Sequence, residues 1–312
     1  MPRSILPSLL FIIAIVLSFS AGLTIPANAQ SKIVGDGTAA SCTAAALATQ
    51  LEGGGSISFN CGSTPVTIVV SSPFDITAPQ TSIDGADLIT LEGANSRIFE
   101  HRTFGFIGSS ELTLRNLTIT KGRARGTSDS QDTAYEANGA AIRSRFQAAS
   151  PDFKPTLNIV NVRFIDNDST LEGVPSGREA YDYGGGAIYS QGGFVTISAS
   201  EFRDNDANNG SGGAIHILQS GLTIADSSFE NSTAIGARPQ DSLGGAIYID
   251  GLGGAEGLFA VSGSVFRNNR SYNAGGAVYV NMYEDSSSTQ ISTSSFEENA
   301  VIGGERAQGG AI

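Results

Sequence analysis

The strongest constraint on the fold is a pair of short motifs, Gly-Gly-Ala-Ile and Phe-x-x-Asn, that alternate along the chain. When the units are aligned on the phenylalanine, the residues five and seven positions earlier are mostly aliphatic, and the residue two positions earlier is mostly Ser. Internal repeats of this kind are typical of solenoids, in which each unit packs only on its neighbours. The aligned residues are Phe164, Phe202, Phe229, Phe266 and Phe296.

The spacing within a unit predicts two short strands that meet at a bend. Alternation with period two puts side chains on one face of a strand, and a step of three residues keeps them there only if the backbone turns. An Asn three residues after the Phe, such as Asn205 or Asn269, predicts a second bend, because Asn tolerates left-handed backbone and bonds its own turn. The Gly-Gly-Ala-Ile motif is predicted to form a third strand.

Three strands per unit, with length differences confined to loops, predict an all-β parallel β-helix. Its interior would hold a Phe ladder and aliphatic ladders, with an Asn ladder at one corner. An up-and-down barrel or sandwich is the competing architecture, and it predicts hairpin turns between runs of similar length. We predict a signal peptide over residues 1–29, an N-terminal cap with the first coils over 30–110, and the repeat β-helix over 111–312.

The N-terminal residues predict export. Arg3 precedes an apolar run, and Ala27-Asn28-Ala29 provides a small-residue cleavage site before Gln30, as in a secretory signal peptide. The alternative is an uncleaved membrane anchor, for which the run is short. Cys42 and Cys61 then lie in an oxidising compartment, where an even count favours a disulfide. Closing this loop stabilises by roughly 3 kcal/mol in the chain-entropy model.

The segment that contains the first cysteine predicts a short capping helix. In "SCTAAALATQLEGGG", Ser41 is the predicted N-cap and Gly53 the predicted stop. A helix over the open end of a β-helix hides unpaired strand edges and interior side chains. The disulfide would attach this cap to the first coil.

The paired motifs resemble the repeats of chlamydial polymorphic outer membrane proteins and other exported bacterial right-handed β-helix proteins, over about residues 110–312. The resemblance implies a right-handed coil with a short N-terminal capping helix, an exported passenger, and often a role in adhesion. It supplies no catalytic residues. Because the sequence stops at Ile312, inside the strand predicted for a Gly-Gly-Ala-Ile motif, we expect the natural protein to continue, with any membrane attachment in its missing C-terminal part.

The predicted function is a secreted or cell-surface adhesion scaffold, associated with the outer membrane, whose partners are polysaccharides or cell-surface molecules. The net charge of −12 argues against nucleic acid and anionic membranes. The alternative is a polysaccharide lyase or hydrolase on the same fold, which needs clustered carboxylates with a base, or two carboxylates across a cleft. The candidates for such a site are Arg203, Asp204 and Asp206, but equivalent turn residues recur in other units, so the repeat itself accounts for them. We therefore expect no enzyme and no cofactor other than calcium.

The residue after Ala-Ile is aromatic in four units and predicts an exposed stripe. If Ile points inward, these side chains point outward and stack, and their flat faces suit sugar rings. The alternative is that they only stabilise cross-strand neighbours. The predicted sugar-binding residues are Tyr189, His216, Tyr248 and Tyr279.

Acidic residues near the Asn corner predict a calcium site, because closely spaced carboxylates supply the oxygen ligands that Ca²⁺ prefers. No known calcium-loop spacing is present, and solvated turn residues are the alternative. The connections between this corner and the next Gly-Gly vary most in length, and they predict either a binding edge or tolerated insertions. The predicted ligands are Asp166, Asp168, Asp204 and Asp206.

Overall fold

The structure is a computed structural model that describes residues 31–103, 108–146, 154–173, 182–236, 242–252, 257–282, 287–303 and 307–312. The predicted signal peptide therefore lies outside the described residues. Within them the chain winds through three parallel sheets in the same order in each coil, from the first sheet to the second and then to the third. This is the predicted parallel β-helix.

The first sheet covers two legs of each coil, on either side of a bend. The residue at the bend has a positive φ and stands three positions before the ladder phenylalanine, as Asn161 (53°), Ala199 (49°) and Asp226 (49°) do. The predicted bend at a constant offset is confirmed. The strands are β1 (Ser31–Val34), β2 (Gly55–Phe59), β3 (Val66–Val70), β5 (Gln80–Gly93), β7 (Ser110–Thr120), β10 (Pro155–Ile165), β13 (Phe194–Ser198), β14 (Glu201–Arg203), β17 (Gly221–Ala225), β18 (Ser228–Glu230), β21 (Leu258–Ser262), β22 (Val265–Arg267), β25 (Ser288–Ser292) and β26 (Ser295–Glu297).

The second sheet begins just after the Asn corner. Its strands are short, and equivalent residues pair in register, as Ala207 does with Ala234. The left-handed residue at the corner is the one before the ladder Asn, for example Asp204 (55°) before Asn205, so the predicted position of the bend was wrong by one residue. The strands are β8 (Arg123–Thr127), β11 (Asp168–Glu172), β15 (Asp206–Asn208), β19 (Thr233–Ile235), β23 (Arg270–Ser271) and β27 (Ala300–Val301).

The third sheet contains the isoleucine of the Gly-Gly-Ala-Ile motif. The strand starts at this Ile in three copies, and the preceding residues form a turn, which corrects the prediction that the whole motif is a strand. Gly212 has a φ of +67°, and a Cβ there would stand 2.1 Å from the carbonyl oxygen of Ile215. The strands are β4 (Phe74–Ile76), β6 (Phe99–Arg102), β9 (Ile142–Arg145), β12 (Ile188–Gln191), β16 (Ile215–Leu218), β20 (Ile247–Asp250) and β24 (Val278–Asn281).

Columns of identical side chains fill the interior and the corners. The rings of Phe202, Phe229 and Phe266 stack at centroid distances of 4.7 Å and within 6° of parallel. At the corner, the amide of Asn269 donates to the Phe229 carbonyl and to Asn299 Oδ1, at 2.9 Å in each case. The predicted Phe and Asn ladders are therefore confirmed, and they fix each coil on the next.

A serine column stabilises the bend in the same way. The backbone N–H of Ser200 donates to Ser227 Oγ at 3.1 Å, and that of Ser227 donates to Ser264 Oγ at 3.2 Å. Each hydroxyl in turn donates to a carbonyl two residues earlier in its own coil, as Ser227 Oγ does to Ala225. Since a buried N–H without a partner is costly, this column explains why Ser recurs beside the bend.

A short helix covers the first coil as predicted. Helix α1 (Ala44–Leu51) follows a 3₁₀ turn (Ala39–Ser41), and it buries Leu47 and Leu51. Its N-cap is Thr43, whose hydroxyl accepts from the Ala46 N–H at 3.1 Å, so the prediction of Ser41 as N-cap was wrong. A second helix, α2 (Gln131–Tyr135), interrupts the connection between β8 and β9.

The predicted disulfide is present. Cys42 and Cys61 are bonded, with their Cα atoms 5.8 Å apart, and both are buried at the edge of the main core. The bond ties the turn before α1 to Cys61, two residues after the end of β2. It therefore attaches the cap to the first coil, as expected.

Candidate functional site

The variable connections all leave the second sheet and return at the third sheet, so they share one edge of the coil stack. The shortest described ones span residues 209–214 and 272–277, and the one that contains α2 spans residues 128–141. Residues 174–181 of another long connection lie outside the described residues. The sequence predicted that these connections form either a binding edge or tolerated insertions, and their shared edge makes them a candidate binding face.

The long connections pack on one another. Ser130 and Thr133 form a reciprocal capping box at the start of α2, which fixes that helix in a chain segment too short to be stable alone. The ring of Tyr135, at its end, meets Tyr183 from the next connection edge-on at 5.7 Å. Where the structure describes them, these two connections therefore pack against each other rather than standing as independent loops.

A charge network, which we call the arginine cluster and in which Arg97, Glu100 and Arg143 are buried, attaches α2 to the coils. It consists of Arg97, Glu100, Glu136, Arg143 and Arg145. Glu100, with 8% of its surface exposed, accepts from Arg143 Nε at 2.7 Å and from Arg145 Nε at 3.0 Å. One carboxylate therefore neutralises guanidinium groups on its own coil and the next.

The other arginine of this cluster is held by backbone as well as by charge. Arg97 donates to the carbonyls of Gly139, Glu136 and Asn138 at 2.9 Å each. Burial, with Arg143 close by, lowers its pKa to about 10, while Glu100 and Glu136 act in the opposite direction. Because unpaired buried charge is costly, the cluster holds the connection of α2 in one position.

The four residues after Ala-Ile do form a column of contacting rings, although only Tyr248 and Tyr279 are stacked, and three of the four are buried, so the prediction of an exposed stripe was wrong. Tyr189 and Tyr248 are each 1% exposed and His216 is 0% exposed, while Tyr279 is half-buried. Their ring centroids follow one another at 5.1, 4.8 and 5.7 Å. A buried ring offers no face to a sugar, and the column instead works as a second, outer core.

Residues from the connections cover this aromatic column. Leu243 and Ala274 pack with Tyr248 and Tyr279 outside the third sheet. Alternation along a strand shows which side chains point outward but not what covers them, so this burial was not predicted from the sequence. Leu243 and Ala274, the apolar residues just before two of the Gly-Gly pairs, were the only local signal of this burial, because the other pairs follow Gly or a polar residue.

Burial dominates the chemistry of the column. It lowers the pKa of His216 to about 3 and raises the pKa of Tyr189 well above its usual value. His216 Nδ1 lies 3.4 Å from the Ser211 carbonyl, whereas Nε2 is buried without a hydrogen-bond partner. The imidazole is therefore neutral across the physiological range, and its role in the described structure is packing.

The four candidate calcium ligands lie at the corner between the first and second sheets, where each carboxylate accepts a hydrogen bond from a neighbouring side chain. Asp166 accepts from Arg123 at 3.0 Å, and Asp204 accepts from Arg203 at 2.9 Å. Asp168 accepts from Asn208 at 2.9 Å, and Asp206 accepts from a threonine one coil on. Such bonds within a coil and between neighbouring coils are typical of polar residues that stabilise turns.

Among the residues that the structure describes, no three His, Cys, Asp or Glu side chains group closely enough to hold a metal ion. The pKa of Asp206 is raised, chiefly by burial and further by Asp168, Asp166 and Asp204, so the carboxylates do repel one another. The calcium prediction stays a prediction that this geometry does not favour.

The second histidine also has an internal role. His101 is fully buried, and its Nδ1 and Nε2 lie 2.9 Å from Ser144 Oγ and 3.1 Å from Ser110 Oγ. Burial lowers its pKa to about 4. A histidine bonded to serine suggests a hydrolase, but a pair with no exposed surface cannot reach a substrate, so this is a core contact between coils.

One coil near the end of the chain identifies the repeat. Residues 263–281 match the family model of the Chlamydia polymorphic membrane protein repeat. This segment runs from the bend at Gly263 through Phe266 and Asn269 to the end of β24, so it contains the two corners, the Gly-Gly turn and the third strand. The predicted resemblance to polymorphic outer membrane protein repeats is confirmed. No curated protein and no solved structure matches the chain significantly.

The polymorphic membrane protein repeat supports a surface or outer-membrane location in general terms, because that family is associated with the outer membrane. No helix in the described parts of the chain has the length and hydropathy needed to cross a bilayer. Location therefore rests on the repeat and not on a spanning helix.

Proposed function

We propose that the protein is an exported, surface-displayed interaction scaffold that acts in adhesion through the edge formed by its variable connections. The observation that carries this proposal is a division within each coil. The ladders occupy the interior and the corners, and their residues are dictated by stacking. The connections differ in length and sequence, yet all emerge on one edge.

The arginine cluster supports the same proposal. A buried ion pair is expensive to assemble, and its best-attested use is to specify one arrangement rather than to add stability. Here it holds α2 and the surrounding connection against the third sheet. A preorganised surface loses less entropy when a partner binds. Residues Asp129, Gln131 and Asp132 are exposed on this connection and are therefore available for contact.

An adhesion assay tests the proposal. Beads coated with the purified protein are incubated with cultured epithelial cells and with a glycan array, because the expected partners are cell-surface molecules or polysaccharides. The Gln131→Ala, Asp132→Ala double variant keeps the capping box and should lower bead attachment at least threefold. The matched control is Thr196→Ala with Thr223→Ala, two outward positions on the first sheet.

Equal attachment by both variants would contradict an adhesive role for this edge. Cleavage of pectin or alginate by the purified protein, in place of binding, would favour the carbohydrate-active enzyme instead. Circular dichroism of each variant verifies that the coils remain folded.

A further inference from the structure

A groove lies beside the N-terminal cap, away from the edge of the variable connections. It has a volume of about 630 Å³ and runs between α1 and the segment that contains β4. This volume falls within the range of about 300–1,000 Å³ that is typical of ligand-binding clefts. Its apolar lining includes Ala44, Ala48, Leu51 and Phe74.

The groove borders an unpaired strand edge. Strand β4 is the terminal strand of the third sheet among the described residues, and it pairs only with β6. The Phe74 N–H donates to the Ile98 carbonyl on the β6 side at 2.9 Å. Because alternate residues of a parallel strand point their backbone groups to opposite sides, the N–H and C=O of Asp75 face the other side.

The cap explains why a strand-sized space remains there. Helix α1 contacts β1, β2, β3 and β4, and it covers the interior of the first coil with Leu47 and Leu51. On the side of β4 it presents mainly small side chains, Ala44, Ala45 and Ala48, with Leu51 at its end. A helix with small side chains at this position leaves the edge of the third sheet without a neighbour.

The charged residues around the groove favour a ligand of positive charge. Its charged lining residues are Glu52 and Asp75, and none of the lining residues is basic. Asp75 is paired with Arg102, which lies on the next coil. Lys32 Nζ donates to the backbone carbonyl of Glu52, but the exposed carboxylate of Glu52 forms no ion pair with any residue in the described ranges and is available to a further cation.

We infer that this groove binds an extended, basic peptide segment of a partner protein, which adds as a strand beside β4. Main-chain hydrogen bonds to the Asp75 edge would supply affinity, as in other cases of strand addition. Apolar side chains of the peptide would alternate with basic ones, the first packing on Phe74 and Ala48 and the second approaching Glu52. This inference concerns a second surface and does not depend on the proposed adhesive edge.

The test uses a fluorescent, capped hexapeptide of alternating Val and Lys, measured by fluorescence anisotropy with the whole purified chain. We expect saturable binding that weakens at least tenfold when Glu replaces Lys in the peptide. Methylation of alternate peptide nitrogens should abolish binding, because it removes the donors that pair with the strand edge. Equal binding of the Lys, Glu and methylated peptides would overturn the inference.

Protein variants locate the binding site. Ala48→Trp fills the groove and should weaken binding at least tenfold, whereas Thr49→Trp adds the same bulk on an exposed helix position outside the groove lining and should leave it unchanged. Glu52→Gln keeps the shape and should weaken binding of the Val-Lys peptide about threefold. Unchanged binding by Ala48→Trp would show that the peptide binds elsewhere.

The same experiments distinguish the basic partner peptide from two other possible ligands of the groove, the chain's own N-terminal segment and a second copy of the protein. A neutral peptide with the sequence of residues 22–30, which precede β1, would overturn the choice of a basic partner if it bound as tightly as the Val-Lys peptide. Sedimentation of the free protein that revealed a dimer, lost in Ala48→Trp, would assign the groove to a second copy and would also overturn it.

Discussion

The coils after residue 190 and the coils around Arg97 are stabilised in different ways. In the later coils the same Phe, Ser and Asn positions recur, and each residue contacts its equivalent in the next coil. In the earlier region one carboxylate, Glu100, is shared by three arginines that have no counterparts elsewhere in the described coils. Stability is distributed over many similar contacts in one region and concentrated in a few in the other.

This difference shows how a regular repeat accommodates an insertion. The column position that holds Tyr189, His216 and Tyr248 in the later coils holds Glu100 and Arg143 in the earlier ones. Charged residues at that position bond to the backbone of the long connection, whereas the aromatic residues pack against the later connections. The same place in the coil therefore attaches an insertion through either charge or apolar contact.

The largest expected effect is in the regular region. Phe229→Ala removes a fully buried ring stacked at 4.7 Å on both neighbours, and we expect the free energy of unfolding to fall by about 4 kcal/mol. Urea denaturation measures this change. Phe296→Ala, at a half-buried position, is the matched control and should cost less than half as much. Equal losses would mean that stacking on both sides does not matter.

A smaller loss is expected in the arginine cluster. Glu100→Gln leaves buried guanidinium groups without their shared counter-ion, and we expect a loss of about 3 kcal/mol in urea denaturation. Glu201→Gln, which breaks the more exposed pairs with Arg163 and Arg203, should cost less than about 1 kcal/mol. If the two variants lost equal stability, concentrated stabilisation in the early coils would be refuted.

The smallest effect is a pH dependence that involves one histidine from each region. The pKa values of His101 and His216, about 4 and about 3, lie below the value of about 6.5 in an unfolded chain. Below pH 6.5 the unfolded chain therefore binds more protons, and stability falls as the pH falls. Between pH 8 and pH 5 each histidine should account for a loss of about 2 kcal/mol.

The variant His216→Phe keeps the aromatic column and removes one titration, so it should lose about 2 kcal/mol less than the parent over this pH range. Urea denaturation at pH 8, 6 and 5 measures the slope. A parent and variant with the same slope would mean that His216 is protonated in the folded state, contrary to its burial.

The repeat allowed the sequence to predict the coils because each prediction depended on local spacing. The bend before Phe202, the Asn205 ladder and the Cys42–Cys61 bond followed from offsets, residue type and compartment. Tyr189 and Tyr248 were placed on the correct face of the third sheet, but their exposure depends on connections whose packing has no period. Burial by Leu243 and its equivalents therefore could not be read from alternation alone.

The arginine cluster was outside the reach of the same reasoning. Several of its bonds join residues 39 to 45 positions apart, as Arg97 with Glu136 and Arg145 with Glu100. The only local sign was Arg143, which stands where later units have an aromatic residue. Arg143 therefore marked the cluster because it departs from the repeat at this position, and not because it belongs to the repeat.

The asparagine ladder has a consequence for how such a chain changes its reach. Each amide bonds backward to the Phe or Ile carbonyl of the preceding coil, and several accept from or donate to the next ladder Asn. Deleting residues 206–232 would remove one full circuit and bring Asn205 into contact with Asn269, a pairing of the kind already seen between Asn269 and Asn299. Gene duplication and loss can therefore lengthen or shorten the coil stack by whole turns, and so extend or shorten the proposed adhesive edge, without new contacts at the point of change.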